Sequence, residues 1–432
     1  MGDVSLWRGL LGVEKTVIER VEFDEDSLVL VAHVRPVSRQ QSRCGRCQRR
    51  CPRYDAGSGR RRWRALDLGT TVAMLEAEVP RVRCRVHGVV VAHVPWARHD
   101  AGHTLAFDDQ VAWLAAHAAK STVTQLMRIA WRTVGSILTR VWADIETEHD
   151  RFEGLRRIGI DEISYKKGHK YVMVVVDHDT RRLVWAAPGR NAATVREFFD
   201  LLGEQRCKLI THVSADGADF IDGIVAQMCP DAVRVADPFH VVKWAGEALD
   251  EVRRQALNQA RKQARAEPQR GRGRPPADAP PRPGNERVKS LHRARYSLWK
   301  NPEDLTENQQ VKLAWIAATD PRLYRAYLLK EGLRVVFKMP HKAAVTALDR
   351  WIAWARRCRI PAFVKLQQSI VKHRTRILAA IEHHLSNGLI ESTNTKIRLI
   401  TRMAYGFHSP QALIALAMLN LGGHRPTLPG RN

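Results

Sequence analysis

The sequence has no apolar run long enough to span a bilayer and no basic amphipathic anchor, so neither a membrane-embedded nor a membrane-surface protein is expected. A secretory leader is not expected either: Met1-Gly2-Asp3-Val4 begins acidic, and the apolar stretch after it is broken by Arg8 and Glu14. Acids are scarce beside bases, 45 Asp plus Glu against 70 Lys plus Arg, and the formal net charge of +25 points to a polyanionic partner such as DNA or RNA. Cysteine is sparse and odd in number. Of the seven, Cys44, Cys47, Cys51 and Cys84 crowd the first hundred residues, while Cys207, Cys229 and Cys358 are scattered. In a chain expected in the cytoplasm, that clustering favours metal ligation over disulfides. At 432 residues the chain exceeds what one core usually spans, so two to four domains are expected.

Two alternating runs, 17–23 and 27–34, flank the acidic turn Asp24-Glu25-Asp26 and read as a hairpin. Cys44-Gly45-Arg46-Cys47 and Cys84-Arg85-Val86-His87 then form two knuckles of two ligands each, the set a tetrahedral zinc site requires. Ordinary cysteines of a small β domain are the other reading, and Cys51 is a rival ligand. Between the knuckles Arg60, Arg61, Arg62 and Arg64 surround Trp63, and Arg81 and Arg83 follow. Guanidiniums beside an aromatic suit DNA contact, although a solvated basic face has the same composition.

Phe107 to Ala119 and Thr122 to Ile145 carry apolar residues at helical spacing. A tight junction over residues 129–134 suggests a helix-turn-helix, with Arg132, Thr133, Ser136 and Arg140 on the helix that would enter the major groove. A plain helical bundle is the alternative.

The runs 157–163, 170–176 and 182–185 read as a three-stranded meander with Asp161 inside the first strand, where a carboxylate needs a cation or a donor. A helix over 191–202, a strand over 209–215 ending at Asp216, a helix over 220–228 and a strand over 232–237 follow, with Phe239 to Lys243 read as more of that strand region. This order is that of a ribonuclease-H-like α/β core, in which the first and fourth strands lie side by side and bring Asp161 to Asp216. Asp237 is the rival second acid. Glu162 is read as structural, and Asp177 with Asp179 as shaping a turn. Two carboxylates at one spot repel, which argues for a bound divalent cation.

Six prolines in residues 268–283 cannot pack and predict a mobile basic loop near 264–290, inside a helical insertion whose tryptophans Trp315, Trp351 and Trp354 read as packing residues. Beyond it, Asn387-Gly388 breaks a helix, and on the next helix Glu391, Asn394, Thr395 and Arg398 share one face at i, i+3, i+4 and i+7.

The paired knuckles, Gly159-Ile160-Asp161-Glu162 with Lys167-Gly168-His169-Lys170-Tyr171, and Ala236-Asp237-Pro238-Phe239-His240-Val241-Val242-Lys243 occur in one order. They are followed by Asn387-Gly388-Leu389-Ile390-Glu391 with Asn394, Lys396 and Arg398, and by Arg402-Met403-Ala404-Tyr405-Gly406-Phe407. In these motifs, over nearly its whole length, the chain resembles the ISL-three family of DDE transposases of bacterial insertion sequences. It departs from the family in having His87 where a cysteine is common.

The resemblance implies a magnesium-dependent enzyme that binds the terminal inverted repeats of an element, cleaves at its ends and joins the 3'-hydroxyls to target DNA. Asp161, Asp216 and Glu391 would be the catalytic acids holding two Mg2+ (or Mn2+), with one structural Zn2+ on Cys44, Cys47, Cys84 and His87. Lys167, His240, Lys243, Asn394, Lys396 and Arg398 join the arginines above as expected DNA contacts. The partners expected are double-stranded DNA and further copies of the chain, as a homodimer or larger assembly, in the bacterial cytoplasm at the nucleoid. The architecture expected is a zinc-binding β domain over 1–100, a helix-turn-helix over 101–150, and the first half of an α/β ribonuclease-H-like core over 151–243. An all-helical insertion over 244–385 and a C-terminal catalytic helix and tail over 386–432 complete it. A DNA-binding regulator, an inactivated transposase and a structure-specific nuclease are the alternatives.

Overall fold

The alternating runs around Asp24-Glu25-Asp26 fold back on each other: β1 (Thr16–Asp24) pairs antiparallel with β2 (Val29–Pro36) after a short helix α1 (Val4–Leu11). The computed structural model describes residues 4–215, 219–266, 283–385 and 387–431. β3 (Arg53–Asp55), β4 (Arg60–Arg64), β5 (Val72–Glu78), β6 (Arg81–Cys84) and β7 (Gly88–Val91) complete two sheets, ordered β1-β2-β5-β4 and β3-β6-β7. Their shared core holds Leu75, Val82 and the edge-on pair Trp63 and Trp96.

Thr104 caps α2 (Leu105–His117) by accepting from the Phe107 amide, replacing one bond the first turn lacks. Then α3 (Lys120–Met127) ends at Arg128, whose φ of 52° turns the chain sharply into α4 (Trp131–Glu148). The tight junction therefore spans Arg128–Ala130, a little before the expected one, and Trp131 to Val134 already lie in the second helix. These helices do not stand apart. Val134, Ile137, Leu138 and Val141 share one core with Val174 and Val176 of the next sheet and with Leu413 and Leu416 near the C-terminus.

That sheet is built from β8 (Arg157–Lys166), β9 (Lys170–Asp177) and β10 (Leu183–Pro188). α5 (Ala192–Leu202), α6 (Glu204–Cys207), β11 (His212–Ala215), α7 (Asp219–Met228) and β12 (Val233–Ala236) follow. Its order is β10-β9-β8-β11-β12, antiparallel from β10 to β8 and parallel from β8 to β12. The first and fourth strands of the series thus lie side by side. In their register Ala215, the last residue of β11, pairs with Ile160, the residue before Asp161. The face opposite α4 is closed by Phe198 and Phe199 of α5 and Ile221 of α7.

Phe239 to Lys243, expected as strand, is instead the opening of the long helix α8 (Pro238–Ala266). Pro238 stands first, where its missing N–H costs nothing, and the Asp237 carboxylate accepts the Phe239 amide. The expected loop near 264–290 is narrower than composition suggests: α8 runs to Ala266 and α9 (Pro283–Arg293) begins at Pro283, while residues 267–282 lie outside the described ones.

After α9 come α10 (Arg295–Trp299), α11 (Glu307–Thr319), α12 (Pro321–Val336), α13 (His341–Arg357), α14 (Pro361–Lys372) and α15 (Arg374–His383). With α8 and α9 these make a helical unit with its own core of Leu249, Leu298, Leu333, Leu348 and Phe363. Trp351 packs there and donates to the Leu329 carbonyl at 2.7 Å, and Trp315 packs at its edge, but Trp354, expected to pack, is 39% exposed. The chain then returns to the sheet with α16 (Gly388–Met403) and α17 (Pro410–Leu421). Among the described residues no helix is long and apolar enough to cross a membrane.

Candidate active site and metal centre

The two knuckles meet. Ligand atoms of Cys44, Cys47, Cys84 and His87 lie within 4.8 Å of one another, with Cys44 and Cys84 buried. Cys47 Sγ stands 3.8 Å from Cys84 Sγ, and His87 Nδ1 stands 3.6 Å from Cys44 Sγ and 3.7 Å from Cys84 Sγ. Thiolate and imidazole ligands on a tetrahedron with zinc bonds of roughly 2.0–2.3 Å sit about 3.5–3.8 Å apart, so the donor set fits zinc. The local folds explain the match. The Arg46 amide donates to Cys44 Sγ, and a Cβ at Gly45 would fall 2.5 Å from the Val91 carbonyl, so only glycine lets this loop lie on β7. In the β6–β7 turn the His87 and Val86 amides aim at Cys84 Sγ and pull its thiol down to about 6, toward the thiolate a metal takes. Cys51 stands outside the four and donates to the Arg49 carbonyl.

The arginines of β4 divide. Arg60 and Arg62 are both ion-paired with Glu76, Arg61 lies over the Trp63 ring, and Arg64 turns inward to pair with Asp67 and stack over Phe107. On α4, Arg132 and Ser136 are exposed and Thr133 half-buried. Arg140 forks onto the fully buried Asp108, whose carboxyl burial pushes up to about 6 against the pull of Arg140 and Arg98. Arg64 and Arg140 are thus internal fasteners in this conformation.

Around Asp161 the sheet and α16 come into contact. Asn394 Nδ2 donates to Asp161 Oδ2 at 2.8 Å, and the Glu162 amide donates to Oδ1 at 2.8 Å. A Cβ at Gly159 would sit 2.4 Å from Ile390 Cδ1, so the bare backbone of β8 is what lets α16 approach this closely. Ile390, Thr393, Asn394 and Ile397 form the buried stripe of α16, while Glu391, Thr395, Lys396 and Arg398 are exposed beside it. The face expected from spacing is therefore split: Asn394, expected on DNA, is 3% exposed and holds Asp161. Its Oδ1 is buried and has no hydrogen-bond partner among the described residues, an open oxygen donor beside a carboxylate. Oxygen donors of this kind suit a hard cation such as magnesium. Asp216 lies outside the described residues.

Asp237, the rival acid, is buried and occupied. It accepts from the Phe239 amide, from His240 Nδ1 at 2.7 Å and from the Asn387 amide at 3.4 Å, tying β12, α8 and the start of α16 together. His240 is thereby half-buried, whereas Lys167 and Lys243 are exposed. Glu162 pairs with Arg190, and Asp177 accepts from the Asp179 amide and the Thr180 hydroxyl, so both shape structure as expected. Reading by residue type passed over Gly159, because a glycine in a strand is a weak signal until the helix that crosses it is known.

Three family models match successive parts of the chain. A zinc finger of transposases IS204/IS1001/IS1096/IS1165 covers residues 40–87, the helix-turn-helix domain of transposase family ISL3 covers 92–142, and a model described as transposase (DDE, ISL3) covers 158–417. The chain is 64% identical over 437 residues to the transposase for insertion sequence element IS1557 of Mycobacterium tuberculosis, a match spanning 100% of this chain and 98% of that protein. It is 27% identical over 423 residues to the transposase for insertion sequence element IS1001 of Bordetella parapertussis, spanning 95% and 96% respectively.

Proposed function

The chain belongs to the ISL3 family of insertion-sequence transposases, and from that premise we propose that it binds the terminal inverted repeats of its element, cleaves at the ends and joins the 3'-hydroxyls to target DNA. The observation that carries this reading is the contact of α16 with β8, which joins Asn394 to Asp161 with Glu391 one helical turn before it. The pairing of Ala215 with Ile160 supports Asp216 as the third acid, and the three donors on Asp237 argue against that residue. The sheet order and strand directions support reading this sheet as a ribonuclease-H-like core.

Two magnesium ions (or manganese), held by Asp161, Asp216 and Glu391, would activate the attacking oxygen and stabilise the charge on the leaving oxygen. In cleavage, water attacks the phosphorus at the element end and the 3'-oxygen leaves. In joining, that 3'-hydroxyl loses its proton and attacks a target phosphodiester, and the target strand's own 3'-oxygen leaves as the new ester forms. Asn394 orients Asp161 through both steps. Lys167, Lys243, Lys396 and Arg398, with His240 behind them, bind the DNA backbone near the acids. Arg60, Arg61, Arg62, Arg132, Thr133 and Ser136 bind the terminal repeat, with Arg64 and Arg140 stiffening the elements that carry them. A single structural zinc on Cys44, Cys47, Cys84 and His87 would lock the first of these elements.

The functional division is a zinc-binding recognition domain over 1–100, a helix-turn-helix over 101–150, and a catalytic core over 151–243 and 386–432 interrupted by the helical insertion. Two ends must be joined, so the working form is a homodimer or larger assembly on DNA in the cytoplasm.

Purified protein incubated with a labelled fragment carrying the DNA that flanks its gene tests the reading. A nick exposing a 3'-hydroxyl with magnesium and none with EDTA is expected. Binding without cleavage under any metal would make the chain a DNA-binding regulator instead.

A further inference from the structure

Between the helix-turn-helix and the catalytic half lies a cleft of 1070 Å³, lined by the start of α4, the end of β8 and the turn from Tyr405 to Ser409. Lys120, the first residue of α3, points into it and is only 6% exposed. Its ammonium lies between two rings, 4.7 Å from the centroid of Trp131 and 5.2 Å from that of Phe407. Among the described residues no carboxylate pairs with it, and burial alone pulls its pKa down to about 8. Arg132 and Lys166 add positive charge, and among the described residues no acidic one lines the cleft.

A buried ammonium with no counter-ion is costly, and aromatic faces return only part of that cost. The surroundings are arranged for the ion that would complete it. α4 presents its N-terminal end here through Trp131 and Arg132, with no side chain capping its first turn, while at the neighbouring start of α17 the Ser409 hydroxyl already accepts from the Ala412 amide. First-turn amides have no intrahelical acceptor, and the helix dipoles favour negative charge at those ends. Ser136 and His408 supply further hydrogen-bonding groups.

We propose that this cleft binds a backbone phosphate of DNA, with Lys120 as its central ligand and the uncapped α4 N-terminus as a flanking donor. The inference rests on the DNA-binding function above and adds a contact in which one phosphate is held by both the helix-turn-helix and the catalytic half. The Ala404-Tyr405-Gly406-Phe407 segment then has a role: Phe407 forms one wall of the lysine slot, and the 79% exposed Tyr405 stands at the mouth.

The test is the salt dependence of binding by the full chain to a duplex carrying its element end. Each neutralised phosphate contributes about 0.9 to the slope of log affinity against log salt. Lys120→Met should lower the slope by about that amount, and Lys120→Arg should restore it; a purely structural lysine would leave the slope unchanged in a folded variant. Should Lys120→Met fail to fold, reductive methylation of the wild-type chain gives the answer, since bound duplex should protect Lys120 several-fold. An unchanged slope in folded Lys120→Met, or equal methylation with and without DNA, would overturn the proposal. Wild-type protein that binds no DNA would instead refute the function on which it rests.

Discussion

The two candidate metal centres are built in opposite ways. Cys44, Cys47, Cys84 and His87 come from two short turns and stand within 4.8 Å of one another, whereas Asp161 and Glu391 come from a strand and a helix separated by 230 residues of chain. Soft ligands on knuckles are gathered by local backbone geometry, and an ion on them would hold a small β unit together. The proposed oxygen ligands are positioned by global packing, with Asn394 on Asp161 and bare Gly159 under Ile390, in a sheet with its own hydrophobic core. Removing metal should therefore unfold one centre and merely silence the other.

The largest effect expected is on the zinc side. Structural zinc contributes on the order of 10 kcal/mol to small domains that it organises, so Cys44→Ser or strong chelation should melt residues 1–100 and abolish end binding. Calorimetry should then show an early transition for that unit with the main one unmoved; a single unchanged transition would break the contrast. Next comes the support of the catalytic side. Asn394→Ala should raise the magnesium concentration for half-maximal cleavage about tenfold or more, as loss of a residue that orients a metal ligand typically does, with the melting profile little changed. Asp108→Ala should leave Arg140 unpaired and Arg98 short of a partner, at a cost of about 3 kcal/mol. Because α2–α4 share a core with the β8–β12 sheet, the main transition as a whole should shift.

The same contrast governs how much the sequence reveals. The candidate zinc cluster is legible because a knuckle is local: two residues between ligands on each side point to all four, although only the fold shows Cys51 to lie outside the set. The meander and the parallel strand beside it follow from hydrophobic patterning and connection order. Helical spacing alone misplaces Asn394, because it says which residues are neighbours but not which side is buried. Glu391 lies beside the buried stripe and Asn394 on it. Phe239 to Lys243 read as strand because a β-rich apolar run looks alike in both states, and Pro238 after a capping Asp237 decides for helix. Lys120 is invisible in sequence, since a lysine opening a helix is ordinary until Trp131 and Phe407 close on it. Nor does amphipathicity show which core the helix-turn-helix joins.

The measurement that tests the central claim most directly is cleavage of an end fragment by wild type and Glu391→Gln at matched DNA occupancy, with magnesium. The predicted result is equal binding and a fall in cleavage of at least about a thousandfold, equivalent to about 4 kcal/mol of transition-state stabilisation. Cleavage by Glu391→Gln at the wild-type rate would contradict the assignment of α16 to the chemistry.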